Sequence, residues 1–252
     1  MAKLDTVVGY LDKRLKLASV PDYAGALNGL QLRNRGVVKR VAAAVDASLG
    51  AVEEAVEAEA DLLLVHHGMF WGGVQRIDGA LYEKLATAMG AGLAIYSAHL
   101  PLDVHEKFGN NVLLAAACGL KAGERFFEWK GIELGLRFET RLELRTLVDR
   151  VEKAVGGPAN VCAAGGAKAG VVGVITGGAG GEVAAMAAAG IDTFITGEGP
   201  HHSYTLAEEL GVNVIYAGHY ATETFGVRAL AAHLATKYKL GAAVYIDRPT
   251  GL

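Results

Sequence analysis

Continuous aliphatic runs alternate with helical patterns along the whole chain, and this alternation constrains the fold more than any other feature. The strand candidates are VVKRVAAAVD (37–46), DLLLVHH (61–67), GLAIYSAH (92–99), GIELGLRF (131–138), GVVGVITG (170–177), DTFITGE (192–198), NVIYAGH (213–219) and AAVYID (242–247). Helical patterns lie at 48–60, 110–118, 140–155, 182–189, 202–210 and 222–238. The amphipathic start MAKLDTVVGYLDKRLKL reads as a helix rather than a signal peptide. Unbroken aliphatic strands separated by such helices predict the α/β class, with largely parallel sheets covered on both faces.

The charged, aromatic segment KAGERFFEWKGIE (121–133) follows a completed helix and marks the expected boundary between an N-terminal α/β unit, 1–125, and a C-terminal one, 126–252. The halves echo each other. DLLLVHH and GLAIYSAHLPLD in the first are matched by DTFITGE and GVNVIYAGHYATE in the second, so that Asp103 follows His99 by four residues and Glu223 follows His219 by four. That repetition predicts related units with polar residues at equivalent strand ends and a metal site between them.

A content of 52% hydrophobic and 20% charged residues over 252 positions supplies a full core and excludes a disordered chain. The formal net charge of −3, without a like-charge run or an Arg/Lys stripe, argues against a dedicated nucleic-acid surface. No apolar window reaches the length of a membrane span, and the expectation is a cytoplasmic protein. Cys118 and Cys162 stand far apart without a CxxC and are expected to be buried, reduced thiols.

The candidate chemistry concentrates at strand ends. In parallel sheets, ligands and catalytic groups collect at the carboxyl ends of strands, and His66, His67, His99 and His219 fall there with acids just behind them. Imidazoles and carboxylates converging from separate strands suit a divalent metal. Adjacent strand residues point to opposite faces, so His66 and His67 are each expected to hold one of two neighbouring ions, with Glu223 or Asp103 as a bridge. One strand-end histidine alone is usually a satisfied polar residue; its recurrence at several strand ends is what argues for a site. His105 and His233 lie on helical patterns without acidic companions and are expected on the surface or beside the site. His201 and His202, after TGEGP, read equally as a helix start. Phe70 and Trp71 read as packing residues. GGAGG (177–181) lies between a strand and a helix as a phosphate cradle would, but it lacks the register of GxGxxG and the Lys-Ser/Thr of a P-loop, and reads as a tight turn. No GxSxG and no Cys–His nucleophile pair is present.

Together, NGLQL (28–32), AVDAS (44–48), VHHGMFW (65–71), AHLPLD (98–103) with GNN (109–111), ITGE (195–198) and AGHYATE (217–223) make the chain resemble the Nif-three-like dinuclear metal-centre proteins, described as GTP cyclohydrolase 1 type 2 homologues. The resemblance spans nearly the whole chain and is strongest to the compact bacterial branch, which lacks an inserted middle domain. It implies a ligand set of His66, His67, Asp103, His219 and Glu223, with one ion on His66, Asp103 and Glu223 and the second on His67, His219 and the bridging Glu223. It also implies a toroidal homohexamer whose sites face an internal cavity. His99 and His202 fall where the family often carries polar residues beside the metals, and His201–His202 in GEGPHH departs from the closest bacterial pattern.

Two functions fit such a set. One is a metal-dependent hydrolase, in which paired ions acidify water and polarise the bond under attack. The family description points to opening of the GTP imidazole ring with release of formate, while a phosphoester or other nucleotide-like small molecule suits the same chemistry. His99 is then the expected proton shuttle. The alternative is a non-catalytic metal-binding, metal-delivery or regulatory ring. Imidazole and carboxylate ligands without thiolate admit zinc, iron, manganese, cobalt or nickel.

Overall fold

The computed structural model describes residues 1–251. β1 (Ala2–Lys3) leads into α1 (Leu4–Arg14), and β2 (Gly29–Leu32), β3 (Val37–Val38) and β4 (Val41–Asp46) precede α2 (Leu49–Glu57). Then come β5 (Leu62–His67), α3 (Gly79–Ala91), β6 (Ala94–Ser97), the short α4 (Leu100–Asp103) and α5 (Asn110–Ala117). β7 (Glu124–Trp129), β8 (Ile132–Glu139), α6 (Leu144–Val155), β9 (Asn160–Ala163), β10 (Val171–Val174) and α7 (Val183–Ala188) follow. The chain ends with β11 (Thr193–Thr196), α8 (His201–Leu210), β12 (Asn213–Tyr216), α9 (His219–Tyr238) and β13 (Val244–Tyr245). No helix among the described residues is long and apolar enough to cross a membrane.

The elements form two compact units, the first Met1–Leu102 with Gly226–Arg248, the second Asp103–Phe225 with the tail from Pro249. They divide at Leu102–Asp103 rather than between 125 and 126, and most of α9 belongs with β13 in the first unit. The segment 121–133 is no linker: β7 and β8 pair antiparallel, with Trp129 opposite Ile132. Lys130 and Gly131 between them both have positive φ, 48° and 84°, the signature of a two-residue type I′ hairpin turn. A Lys-Gly pair announces that turn less loudly than Asn-Gly would.

In the first unit the strand order is β13-β4-β5-β6-β2, parallel except for β2 against β6. Leu63, Val65 and Ile95 pack on one face with Val52 and Ala55 of α2 and Leu85 and Ala88 of α3. Leu62 and Leu64, which the pleat turns to the other face, are buried as well. Burial on both faces explains why this strand is aliphatic without alternation.

The second sheet, ordered β7-β8-β10-β11-β12-β9, is mixed. Only β10, β11 and β12 run parallel; β7–β8, β8–β10 and β12–β9 are antiparallel. The expectation of largely parallel sheets thus holds for the first unit and is corrected for the second, where hairpin-type pairing supplies the flanks. Ile195, Ile215 and Val172 meet Leu114 of α5 and Leu147 and Val151 of α6. On the opposite face Phe194 and Val214 meet Met186 of α7 and Ala207 of α8.

The sequence echo is architectural. Each sheet contains a parallel triplet with an antiparallel strand beside its third member, β4-β5-β6-β2 and β10-β11-β12-β9. Asp61 and Asp192 precede the middle strands and play the same part in each. Asp61 Oδ2 accepts from the N–H groups of Lys39 and Arg40 at 2.7 and 3.0 Å, and Asp192 Oδ2 from that of Val171 at 2.7 Å. At the far end Ala98 N–H donates to Val65 and Ala217 N–H to Thr196. This equivalence sets His67 against Glu198 and His99 against Gly218. His219 therefore lies one residue past the counterpart of His99, as the first residue of α9 rather than at a strand end.

Replacing Leu63, which is 0% exposed, by Ala is expected to destabilise the protein by about 2–5 kcal/mol. Denaturant titration reads this as a lower midpoint; a loss below about 0.5 kcal/mol, typical of a surface position, would contradict the double-sided burial of β5.

Candidate metal centre

β5 delivers His66 and His67 to the carboxyl edge of the first sheet, and the chain after β6 brings His99 beside them. The His66 and His67 ring centroids are 4.8 Å apart, and one ligand atom from each of His66, His67 and His99 lies within 4.8 Å of the others. Alternation predicts opposite faces for His66 and His67. His67 lies at the last rung of the ladder, paired with Asp46, and here the two rings nonetheless stand close, tilted by 51°.

Each ring is held by the same device. His66 Nδ1 lies 2.9 Å from the carbonyl oxygen of Ala98, His67 Nδ1 2.8 Å from Asp46 Oδ1, and His99 Nδ1 2.8 Å from Asp22 Oδ1. A carbonyl or ionised carboxylate oxygen only accepts hydrogen bonds, so each Nδ1 carries a proton and the metal-binding lone pair falls on Nε2. Asp46 reaches His67 because cross-strand partners share a face. Asp22 is itself braced: Asn28 Nδ2 and the Leu100 N–H donate to Oδ2 at 2.7 and 3.0 Å, and the Tyr23 N–H donates to Oδ1 at 2.7 Å. Burial pushes the Asp22 carboxyl up, but the hydrogen bond and charge of His99 and the bond from Asn28 outweigh it, and the pKa falls below the ordinary carboxylate value.

The polar residues of NGLQL serve this edge. Asn28 Oδ1 accepts from the His99 N–H at 2.7 Å. Gln31 Oε1 accepts from the Met69 N–H at 2.7 Å, while its Nε2 donates to the carbonyls of Ala26 and Leu27. A Cβ at Gly68 would stand 2.1 Å from Gln31 Nε2, so the glycine after the histidine pair is what lets Gln31 grip the turn.

In the second unit, His219 opens α9 and Glu223 lies one turn on, on the same side of the helix. His219 Nε2 is 3.2 Å from Glu223 Oε2, and its Nδ1 is 2.8 Å from Glu198 Oε1. Burial lowers the His219 pKa, but the carboxylates of Glu223 and Glu198 prevail and raise it to about 9. Glu223, 2% exposed, is a buried anion beside a cation, as desolvation requires. A divalent ion would supply the positive charge that the imidazolium supplies here, and the donor set fits one.

Gly177 explains part of GGAGG: at φ 72° its added Cβ would lie 2.2 Å from Glu223 Oε1. The glycine lets the backbone approach a carboxylate rather than a phosphate. Asp103 is buried in the same unit, with Asn110 Nδ2 donating to its Oδ1 at 2.7 Å and Thr176 Oγ1 at 3.4 Å. Asn111 Oδ1 accepts from the Thr176 N–H at 2.8 Å, and Asn111 Nδ2 donates to the Leu134 carbonyl. The GNN stretch thus sets the plane of Asp103.

Within the first unit the structure gathers His66, His67 and His99; within the second it joins His219 to Glu223 and braces Asp103. Sequence reasoning missed Asp22, Asp46 and Glu198. Asp46 and Glu198 were findable as acids closing the strand motifs AVDAS and ITGE; Asp22, in a Pro-Asp-Tyr loop, carries no comparable signal. His201 and His202 are exposed in the first turn of α8. His105 is buried rather than on the surface, its Nδ1 accepting from the N–H groups of Lys107 and Phe108. His233 pairs with the Tyr10 hydroxyl at 2.5 Å. Cys118 and Cys162 are buried free thiols.

Residues 2–248 match the family model of Duf34/NIF3 (NGG1p interacting factor 3). A Deinococcus radiodurans protein named GTP cyclohydrolase 1 type 2 homolog is 42% identical over 250 residues, covering 98% of this chain and 94% of its own. An Archaeoglobus fulgidus protein of the same name is 39% identical over 99% of each chain. Among solved structures, that of TTHA1606 from Thermus thermophilus aligns with a TM-score of 0.89 and 40% identity, over 99% of this chain and 100% of that one. That of protein ybgI aligns at 0.90 with 32% identity, again over 99% and 100%.

Removing the oxygen that orients an imidazole, by Asp46→Ala or Glu198→Ala, is expected to weaken zinc binding about 10–100-fold in competition with a chelator. Unchanged affinity in both variants would show that these carboxylates do not serve a ligand.

Proposed function

Because the chain belongs to the Duf34/NIF3 family, we propose that it holds a dinuclear divalent-metal centre and acts as a hydrolase on a nucleotide-like small molecule. The observation that carries this reading is the common Nδ1 anchoring of His66, His67, His99 and His219 by oxygen acceptors. An imidazole whose role is packing has no need of an oxygen acceptor fixed behind its Nδ1, whereas a metal ligand gains basicity and a fixed tautomer from one.

In this reading His66, Asp103 and Glu223 hold one ion, and His67 and His219 hold the other with Glu223 as the bridge. The nitrogen and oxygen donors, without thiolate, admit zinc, iron, manganese, cobalt or nickel. Bound ions would supply Lewis acidity and an acidified water. The chain's own contribution is positioning and proton movement. Asp22 fixes the His99 tautomer, leaving Nε2 to accept a proton and return it. The nucleotide class follows the relatives' name, GTP cyclohydrolase 1 type 2 homolog. A cytoplasmic homohexameric ring, implied by the sequence resemblance, completes the proposal.

The test is metal content and turnover on protein purified without added metal. About two ions per chain are expected in the wild type, as two-metal hydrolysis requires, with a marked loss in Glu223→Ala. His99→Ala is expected to keep the metal and lose hydrolysis across a nucleotide panel. Loss of metal in His99→Ala would make His99 a ligand, and a fully loaded wild type that turns over no nucleotide would leave a metal-binding or metal-delivery protein.

A further inference from the structure

We propose that Trp71 and Tyr23 form a stacking wall for a planar heteroaromatic ring, so that the base of a nucleoside-like ligand lies on the Trp71 indole beside the histidine cluster. The inference rests on the nucleotide-like reading above and names the part of the ligand that the first unit grips. The sequence pattern makes Phe70 and Trp71 packing residues together, but the structure separates them. Phe70 packs against the core of the first unit, whereas Trp71 is 40% and Tyr23 52% exposed.

The two exposed rings converge on His99 rather than spreading over a flat patch. Trp71 and His99 centroids are 4.9 Å apart with the rings near perpendicular at 83°, Tyr23 and His99 6.2 Å apart, and Tyr23 and Trp71 6.5 Å apart and tilted by 50°. Trp71 also stands at 80° to His67 with centroids 5.8 Å apart. The backbone of this corner is closely packed. A Cβ at Gly25 would meet the Trp71 carbonyl oxygen at 3.0 Å, so the segment after Tyr23 lies directly on the Trp71 backbone. Gln31 ties that segment to the Met69 N–H. Exposed aromatic surface gathered in this way suits the π-face of a planar ring.

Nearby amides are engaged elsewhere: Asn28 with Asp22 and the His99 N–H, Gln31 with the backbone. Stacking without edge readout tolerates any base, so purine and pyrimidine nucleosides are expected to bind within a few-fold of one another.

The chain has two tryptophans, so Trp129→Phe makes indole fluorescence report on Trp71 alone. Guanosine, adenosine and uridine are titrated into that variant, metal-free and zinc-loaded, with ribose 5-phosphate as the control lacking an aromatic ring. Saturable quenching by each nucleoside and none by ribose 5-phosphate is expected. In equilibrium dialysis of the otherwise wild-type protein, Trp71→Leu is expected to weaken nucleoside binding about 5- to 100-fold, with Trp71→Phe close to wild type. Binding of ribose 5-phosphate as tight as that of the nucleosides, or unaltered nucleoside binding in Trp71→Leu, would overturn the proposal. A Trp71→Leu protein that changes oligomeric state while binding nucleosides normally would assign the wall to contact between copies instead. Nucleoside binding through Trp71 without turnover would leave the stacking wall standing and sink the hydrolase reading; hydrolysis indifferent to Trp71→Leu would do the reverse.

Discussion

The hydrogen bond from an imidazole Nδ1 to an oxygen that can only accept is the interaction on which the rest of this structure depends. It recurs at His66, His67, His99 and His219, with a main-chain carbonyl as acceptor once and a carboxylate otherwise. A neutral imidazole without such a partner samples both tautomers and several ring orientations, and a ligand would have to freeze them on binding. With the partner, the Nε2 of a neutral ring is committed before any ion arrives, whereas in His219 the ring is turned by Glu198 so that Nε2 meets Glu223. The α/β fold makes this possible because parallel strands end together, which sets Asp46 beside His67 and the Ala98 carbonyl beside His66.

Close backbone approach is the second requirement. Buried carboxylates need room for their oxygens, and the chain provides it by omitting side chains where backbone must come near. Gly177 admits Glu223, and Gly68 admits the amide of Gln31 that steadies the histidine turn. The charge balance follows the same logic. Glu223 and Glu198 bracket His219, and the resulting imidazolium is the local counter-charge to buried acid.

Much of this was legible in the sequence because it rests on short-range patterns. Continuous aliphatic runs marked β4, β5, β6, β10, β11 and β12, and glycine, proline and charge patterns bracketed most helices. The histidine positions stood out because polar residues rarely close such runs. β7 and β9 were not legible, since an edge strand of charged and aromatic residues without alternation, ERFFEW, and a strand as short as NVCA carry no distinctive period. α3, rich in alanine and glycine, likewise shows little amphipathic pattern. Asp22 illustrates the deeper limit: its partner His99 is 77 positions away, and nothing local announces a pairing set by chain return. The one-residue offset between His99 and His219 was hidden for a related reason, because the shared tyrosines suggest one alignment and the strand ladder imposes another.

The most direct measurement is long-range proton–nitrogen NMR of the imidazole rings, in metal-free protein and after addition of zinc. A protonated Nδ1 is predicted in His66, His67 and His99 before zinc, with a zinc-dependent shift confined to Nε2 in the rings that bind. Protonation at Nε2 in the metal-free protein, or zinc shifts at Nδ1, would contradict the anchoring of these rings through Nδ1.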